Sequence, residues 1–118
     1  MSSPRRFRGY IPKTTTAVYG SLVERRSREY YIYTDAHEFV RISNRHICLS
    51  TGLTDVHGTE LYEEDMVRRL PGDNLYQIQY HHAGFWLVSK WQSVPITDSM
   101  LLEKVEEEES ERQSDKRR

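Results

Sequence analysis

Acidic side chains are concentrated in one stretch, STGLTDVHGTELYEEDMVRRL, which runs from Ser50 to Leu70 and contains five acidic residues and two glycines. Carboxylates are the ligands that calcium prefers, so a metal loop is the first chemistry to consider. If Gly58 is the glycine at the sixth position of an EF-hand loop, the first position falls on Leu53, which has no oxygen to offer. The residues fit a turn better, because Asp55 can accept hydrogen bonds from following amides and Gly58 tolerates a positive φ. We therefore predict a structural turn and no calcium site.

Other residues with the types needed for catalysis or metal binding lack the required spacing. His81 and His82 are adjacent and would point to opposite faces of a strand, and no Cys or His pair has zinc spacing. No nucleophile elbow is present, and no glycine-rich stretch precedes a helix. The one cysteine, Cys48, lies in the apolar run HICLS and is expected to be buried. We predict no catalytic residue, no metal and no cofactor, and therefore a protein that is not an enzyme.

Basic and acidic residues are unevenly distributed, although the net charge is only −1. From Met1 to Arg45 there are nine Lys or Arg against four acids, and from His46 to Val105 there are four against eight. One hypothesis is that the basic part binds nucleic acid through phosphate contacts and base stacking. The candidate phosphate contacts are Arg5, Arg6, Arg8, Arg25, Arg26 and Arg28, and the candidate stacking residues are Tyr30, Tyr31, Tyr33 and Trp91. Because strong nucleic-acid binders are usually basic overall, a protein-interaction module is favoured, and a merely solvated arginine surface is the third alternative.

The elements that would position these residues are short strands. In YQIQYH, Tyr76, Ile78 and Tyr80 alternate with polar residues, which is typical of a half-buried strand. A loop of His82-Ala83-Gly84, with Gly84 left-handed, would join it to FWLVSKW. Upstream, TTAVYGSLVE, REYYIYT, EFVRIS and HICLS are β-branched or aromatic runs separated by polar turns. We predict a mainly β fold, a small meander of short antiparallel strands with a partly open, β-barrel-like C-terminal half.

Length favours one domain over residues 1–105, and two packed β halves of about 5–50 and 51–105 remain the alternative. The last segment, 106–118, contains no apolar residue and is predicted to be a disordered charged tail. A helix continuing from MLLEKVEEEE is the other possibility for this end of the chain. No apolar run is long enough for a membrane helix or a signal peptide, so we expect a cytoplasmic protein with no membrane partner.

Three separated blocks resemble the YopX family of small proteins encoded by phages and prophages. Near the N-terminus, FRG and VYGSL resemble the start of that family, and GFWL resembles its late strand. The central block resembles the family text TGL-D-NG-EIYEGDIV and departs from it at His57, where Asn is common, and at Glu64, where Gly is common. The residues of the signature turn and strand are Thr51, Gly52, Leu53, Asp55, Gly58, Glu60, Tyr62 and Asp65.

The resemblance covers roughly residues 5–105 and implies a mostly β phage or prophage accessory protein in a bacterial cytoplasm. It implies no catalytic residue, because the family has no established biochemical activity. We predict a non-enzymatic module whose partners are an unknown phage or host protein and a second copy of itself. Nucleic-acid binding by the basic N-terminal half is the alternative.

Overall fold

The protein is described here by a computed structural model of residues 6–105, so Arg5 and the tail predicted over 106–118 lie outside the described residues. These residues contain no α-helix and a single short 3-10 turn at Arg26–Arg28. The mainly β prediction is therefore confirmed. The strands are β1 (Phe7–Tyr10), β2 (Ala17–Glu24), β3 (Tyr30–Thr34), β4 (Phe39–Ile42), β5 (Cys48–Thr54), β6 (Glu60–Tyr62), β7 (Met66–Arg69), β8 (Leu75–His81), β9 (Gly84–Val88), β10 (Ser93–Pro95) and β11 (Leu102–Lys104).

The chain divides after Ser50 into two compact units, Met1–Ser50 and Thr51–Arg118. In the first unit the antiparallel strands follow the order β4-β3-β2-β1-β5. The amide of Ser43, just after β4, donates to the carbonyl oxygen of Tyr10 at the end of β1 (2.8 Å). Since β3 and β2 lie between these two strands in the sheet, the sheet must be strongly coiled to bring them together.

The concave side of this coiled sheet forms the core of the first unit. Ile32 is completely buried and Ile42 is 3% exposed. Glycine is required where the backbone approaches these residues: a Cβ on Gly9 would overlap the Ile42 side chain, and a Cβ on Gly20 would overlap the carbonyl oxygen of Tyr33. The two glycines allow the sheet to coil tightly around a small apolar core.

The second unit contains the end of β5 with its neighbour β6, and a sheet in the order β10-β9-β8-β7-β11. As predicted from YQIQYH, alternation along β8 buries Tyr76 and Ile78, whereas Tyr80 on the same side of the strand is 39% exposed. The buried members of the core are Leu61, Val67, Tyr76, Ile78, Leu87 and Leu102. Within the described residues this sheet stays open, with β10 and β11 at its edges.

One local prediction is wrong, and one alternative does not hold for residues 102–104. The turn between β8 and β9 consists of His82 and Ala83, both with positive φ (51° and 62°), and Gly84 is already paired with His81 in the ladder. Residues 102–104 are a strand paired with β7 rather than a helix. In both places cross-strand pairing outweighs the local preference for glycine in the left-handed region or for Leu, Glu and Lys in a helix.

Cys48 is fully buried, as predicted. The described residues include no helix that is long and apolar enough to cross a membrane.

Candidate functional site

The acidic stretch forms a hairpin whose turn is built around the Asp55 carboxylate. Its Oδ1 atom accepts hydrogen bonds from the amides of His57 and Thr59 (2.9 Å each), and the Asp55 carbonyl accepts from the amide of Gly58 (3.0 Å). Gly58 has a φ of 84°. The turn predicted from Asp55 and Gly58 is thus confirmed.

Asp55 also connects this turn to the last strand of the second unit. Its Oδ2 atom accepts a hydrogen bond from the amide of Lys104 in β11 (3.0 Å), and only 7% of the residue is exposed. Burial raises the pKa of this carboxyl, but the amides of Lys104, Thr59 and His57 together outweigh it and leave the pKa below its ordinary value. With both oxygens occupied by backbone donors, Asp55 is a structural clamp rather than a metal ligand.

Two more of the signature residues, Thr51 and Asp65, also have structural roles. Thr51 Oγ1 donates to the carbonyl of Leu61 (2.8 Å) and accepts from the amide of Leu53 (3.0 Å). Asp65, which is 5% exposed, accepts from the amide of Tyr62 (2.8 Å). Glu64 adopts the left-handed conformation (φ 74°), so the bend forms without the family's glycine.

Three ionisable side chains, His57, Arg68 and Glu103, come from distant parts of the sequence and meet at the surface of the second unit. Glu103 Oε2 lies 3.0 Å from His57 Nε2, and its Oε1 accepts a hydrogen bond from Arg68 Nη1 at 2.7 Å. The hydrogen bond to Glu103 raises the pKa of His57, and hydrogen bonds from His57 and then Arg68 lower the pKa of Glu103. The His57 side chain is 65% exposed and that of Glu103 is 30% exposed, so the group resembles a surface ion pair more than a catalytic dyad.

Across residues 6–105, no group of three or more His, Cys, Asp or Glu side chains is placed to hold a metal ion.

The convex side of the first unit's sheet carries a different set of residues. Cross-strand partners lie on the same side of a sheet, and Tyr33 is opposite Phe39 while Tyr31 is opposite Arg41. In β2, Tyr33 pairs with Ser21, and Tyr19 lies two residues before Ser21, so Tyr19 is on this side as well. We refer to Tyr19, Tyr31, Tyr33, Phe39 and Arg41 as the aromatic face.

Ring contacts give the aromatic face a defined geometry. The Tyr33 and Phe39 rings pack with centroids 4.7 Å apart and a 50° angle between their planes. Phe39 nevertheless remains 62% exposed, and Tyr19 37%. The Arg25 guanidinium lies 5.7 Å from the centre of the Tyr31 ring, within cation–π range. The face therefore presents accessible π-surfaces with cationic groups among them.

The candidate phosphate-contacting arginines do not form one surface. Arg6 pairs with Asp35 (3.2 Å), and Arg8 is only 5% exposed, with its guanidinium 5.8 Å from the Tyr10 ring. Arg26 lies in the exposed 3-10 turn, Arg25 stacks on the aromatic face, and Arg5 is outside the described residues. Arg28 lines a cleft of about 540 Å³ in the first unit.

The cleft gathers cations from two turns and one strand. Its charged residues are Lys13 from the β1–β2 connection, Arg28 and Glu29 from the β2–β3 connection, and Arg41 from β4. Lys13, Arg28 and Arg41 form no ion pair with any of residues 6–105. Tyr30, a candidate stacking residue, also lines the cleft, together with Pro12, Ile42, Ser43 and Asn44. We call this site the basic cleft.

Comparison with known proteins gives no information on the function of the aromatic face or the basic cleft. No protein-family model and no curated protein matches the chain. The resemblance to YopX proteins stays a prediction, supported by the quoted blocks alone.

Sequence reasoning missed Tyr19, Phe39 and Arg41 of the aromatic face, and it missed Lys13 and Arg41 among the cations of the basic cleft. Phe39 and Arg41 alternate with the less exposed Val40 and Ile42 in EFVRIS, a pattern that is typical of two residues on one side of a strand. Their pairing with Tyr33 and Tyr31 depends on the strand register, which the pattern does not encode. Trp91, predicted to stack on bases, is 89% exposed in the second unit, between β9 and β10, and is not part of the aromatic face.

Proposed function

We propose that this protein is a non-enzymatic binding protein, of phage or prophage origin and acting in the cytoplasm of a bacterial host, whose first unit binds single-stranded nucleic acid. The observation that carries the proposal is the aromatic face, with Phe39 62% exposed beside Tyr33 and with Arg25 and Arg41 placed around Tyr31. Proteins that bind single strands combine aromatic side chains for base stacking with a basic path for the backbone.

A single strand fits this surface better than a duplex does. The bases of a single strand are free to lie flat on an exposed ring, whereas duplex bases present only their edges in the grooves. Residues 6–105 also contain no α-helix of the kind that enters a major groove. Recognition would therefore depend on stacking and charge more than on sequence.

The charge of the first unit agrees with this ligand. Residues 1–50 contain nine Lys or Arg and four acids. Since the net charge of the whole chain is −1, the attraction for phosphate must be local to this unit. Binding should accordingly be moderate and should weaken steeply as salt rises, through counterion release.

Fluorescence anisotropy with short labelled DNA and RNA oligonucleotides, single-stranded and duplex, tests the proposal at low and increasing salt. We expect saturable binding of single strands, weaker binding of duplexes, and a loss of about 5- to 100-fold on Phe39→Ala, because stacking contributes about 1–3 kcal/mol per base. Trp91→Ala is the matched control, since it removes a more exposed aromatic ring from the second unit. Absence of binding to every oligonucleotide at low salt would eliminate the proposal.

A second candidate function, the binding of a protein partner or of another copy, is favoured by the position of β4. This strand is at the edge of the first unit's sheet and exposes Phe39, so an extended peptide or an identical strand could pair with it. Association of the basic part of one copy with the acidic part of another would add electrostatic attraction. Affinity capture from phage-infected cells, with and without nuclease, separates the two candidates: a partner retained after nuclease treatment supports protein binding.

A further inference from the structure

We propose that the basic cleft is a phosphate-binding site that holds the backbone of the strand whose bases stack on the aromatic face. The identity of the ligand as a nucleic-acid strand rests on the proposed function, but phosphate binding at the cleft can be tested independently of that function. Arg41 joins the two surfaces, because it lies opposite Tyr31 on the aromatic face and also lines the cleft. A nucleotide stacked near Tyr31 would thus have its phosphate within reach of the cleft cations.

The electrostatics of the cleft favour an anion. Three cationic side chains and one carboxylate, Glu29, line it, and within residues 6–105 none of the four is neutralised by an ion pair. Cations gathered in a concave site without counter-charges raise the local concentration of anions. The cleft volume of about 540 Å³ also lies in the range of sites that hold small ligands.

Two of these cationic residues, Lys13 and Arg28, have a strained backbone conformation. Lys13 has a φ of 64° in a turn closed by a hydrogen bond from the Thr14 amide to the Ile11 carbonyl (3.1 Å). Arg28 has a φ of 68° in the turn closed from Glu29 to Arg26 (3.2 Å). Glycine would adopt either conformation without strain, so both turns place a cation where a side chain is disfavoured.

Polar groups at the end of β4 complete a cradle for phosphate oxygens. Ser43 and Asn44 line the cleft beside Arg41. The Ser43 amide bonds to Tyr10, and its hydroxyl accepts from the amide of Arg45 (3.1 Å), which holds the segment in position. The Ser43 hydroxyl hydrogen and the Asn44 side-chain amide are donors of the kind that phosphate accepts. Charge and directed donors therefore come from three connections that only the coiled sheet brings together.

The direct test is a titration of the full-length protein with inorganic pyrophosphate, followed by ¹⁵N chemical shifts. We expect shifts confined to the amides around Lys13, Arg28 and Asn44. Arg28→Gln should weaken the binding of both pyrophosphate and single-stranded oligonucleotide about ten-fold or more, since it removes charge-assisted hydrogen bonds. The same variant should lower the slope of log affinity against log salt by about 0.7 for the oligonucleotide.

Two variants of the same turn serve as controls. Arg26→Gln removes an identical charge two residues away, outside the cleft lining, and should change affinity less than about three-fold, as expected for an exposed long-range charge. Glu29→Gln removes the one carboxylate among the described residues that line the cleft, and it should tighten binding about two- to five-fold. All three side chains can be replaced while the turn's backbone hydrogen bonds remain, so circular dichroism should show an unchanged fold.

The outcomes distinguish this inference from the proposed function. If oligonucleotides bind but Arg28→Gln behaves like Arg26→Gln, the basic cleft is not the phosphate site, while stacking on the aromatic face stands. If pyrophosphate binds at the cleft and no oligonucleotide binds, the phosphate site stands and single-strand binding is wrong. If pyrophosphate produces no localised shifts, the cleft inference is overturned.

Discussion

Replacing Asp55 tests the assignment of the acidic stretch to structure rather than to metal chemistry. The carboxylate accepts three backbone hydrogen bonds, from His57, Thr59 and Lys104, at 2.9, 2.9 and 3.0 Å. In Asp55→Ala, the amides of His57 and Thr59 in the exposed turn can bond to water instead, so the loss of each hydrogen bond should destabilise the fold by about 0.5–1.5 kcal/mol. The partly buried Lys104 amide has less access to water, so leaving it without an acceptor should destabilise the fold by about 1.5–3 kcal/mol. We expect a total loss of about 4 kcal/mol in the free energy of unfolding.

Asp55→Asn separates the contribution of the turn hydrogen bonds from that of the hydrogen bond to Lys104. Asparagine keeps one acceptor oxygen for the turn amides but presents an NH₂ group to the Lys104 amide, so a donor faces a donor. The loss should be about 2 kcal/mol, mostly from the connection to β11. Asp98→Ala, which truncates an exposed aspartate of the same unit, is the control and should stay within about 0.5 kcal/mol of wild type.

Urea denaturation monitored by tryptophan fluorescence is suited to this measurement, because both tryptophans, Trp86 and Trp91, lie in the second unit with Asp55. At an m-value of about 1.5 kcal/mol/M, a loss of 2 kcal/mol lowers the midpoint by about 1.3 M. A midpoint for Asp55→Ala equal to that of Asp98→Ala would refute the clamp.

The pH dependence gives an independent check of the same carboxylate. Its folded pKa is below the ordinary value of 3.8, so its contribution to stability is present above pH 3.8 and is lost as pH falls through the folded pKa. The difference between wild type and Asp55→Asn should therefore be constant near neutral pH and should narrow below pH 3.8. A difference that widens on acidification would contradict the argument.

Further predictions concern pH, packing, assembly and metals. An NMR titration should give His57 a pKa above 6.5, and Glu103→Gln should lower that pKa; an unchanged His57 pKa in the variant would contradict the assignment. The stabilisation from the His57–Glu103 pair should be present below pH 6.5 and should be lost as pH rises through the folded pKa of His57. Gly20→Ala should destabilise the first unit by about 2 kcal/mol or more, because its Cβ would overlap the Tyr33 carbonyl, and a thermal midpoint equal to wild type would show that the sheet relaxes. Light scattering coupled to size exclusion should give a multiple of 14.0 kDa that dissociates as salt rises, whereas a monomer mass at every micromolar concentration would refute the oligomer. Calorimetry with calcium and zinc should show no specific binding, and micromolar one-to-one binding of either ion would overturn the prediction made from Leu53 and the histidine spacing.

Features that depend on neighbouring residues were predictable from the sequence. The alternation in YQIQYH identified the buried side of β8, and Asp55 with Gly58 identified the hairpin turn, because both structures are determined by local backbone geometry. The exclusion of an EF-hand loop depended on a single spacing and needed no tertiary information. The left-handed residues were harder to locate: Glu64, His82 and Ala83 adopt positive φ although the pattern favours glycine there. In these turns the hydrogen bonds of the flanking strands overcome a local strain of about 1–2 kcal/mol per residue.

The basic cleft and the clamp between Asp55 and β11 were decided by the tertiary structure. Lys13, Arg28 and Arg41 are distributed over 29 positions of the chain and meet only because the sheet coils until Ser43 bonds to Tyr10. Asp55 and Lys104 are 49 residues apart and are joined by the pairing of β11 with β7. Strand periodicity specifies which side of a strand is buried, but it contains no information on which strands become neighbours or in what register. That choice depends on the burial of the whole core at once, so the sequence identified the kinds of residue available for binding and the fold determined which of them share a site.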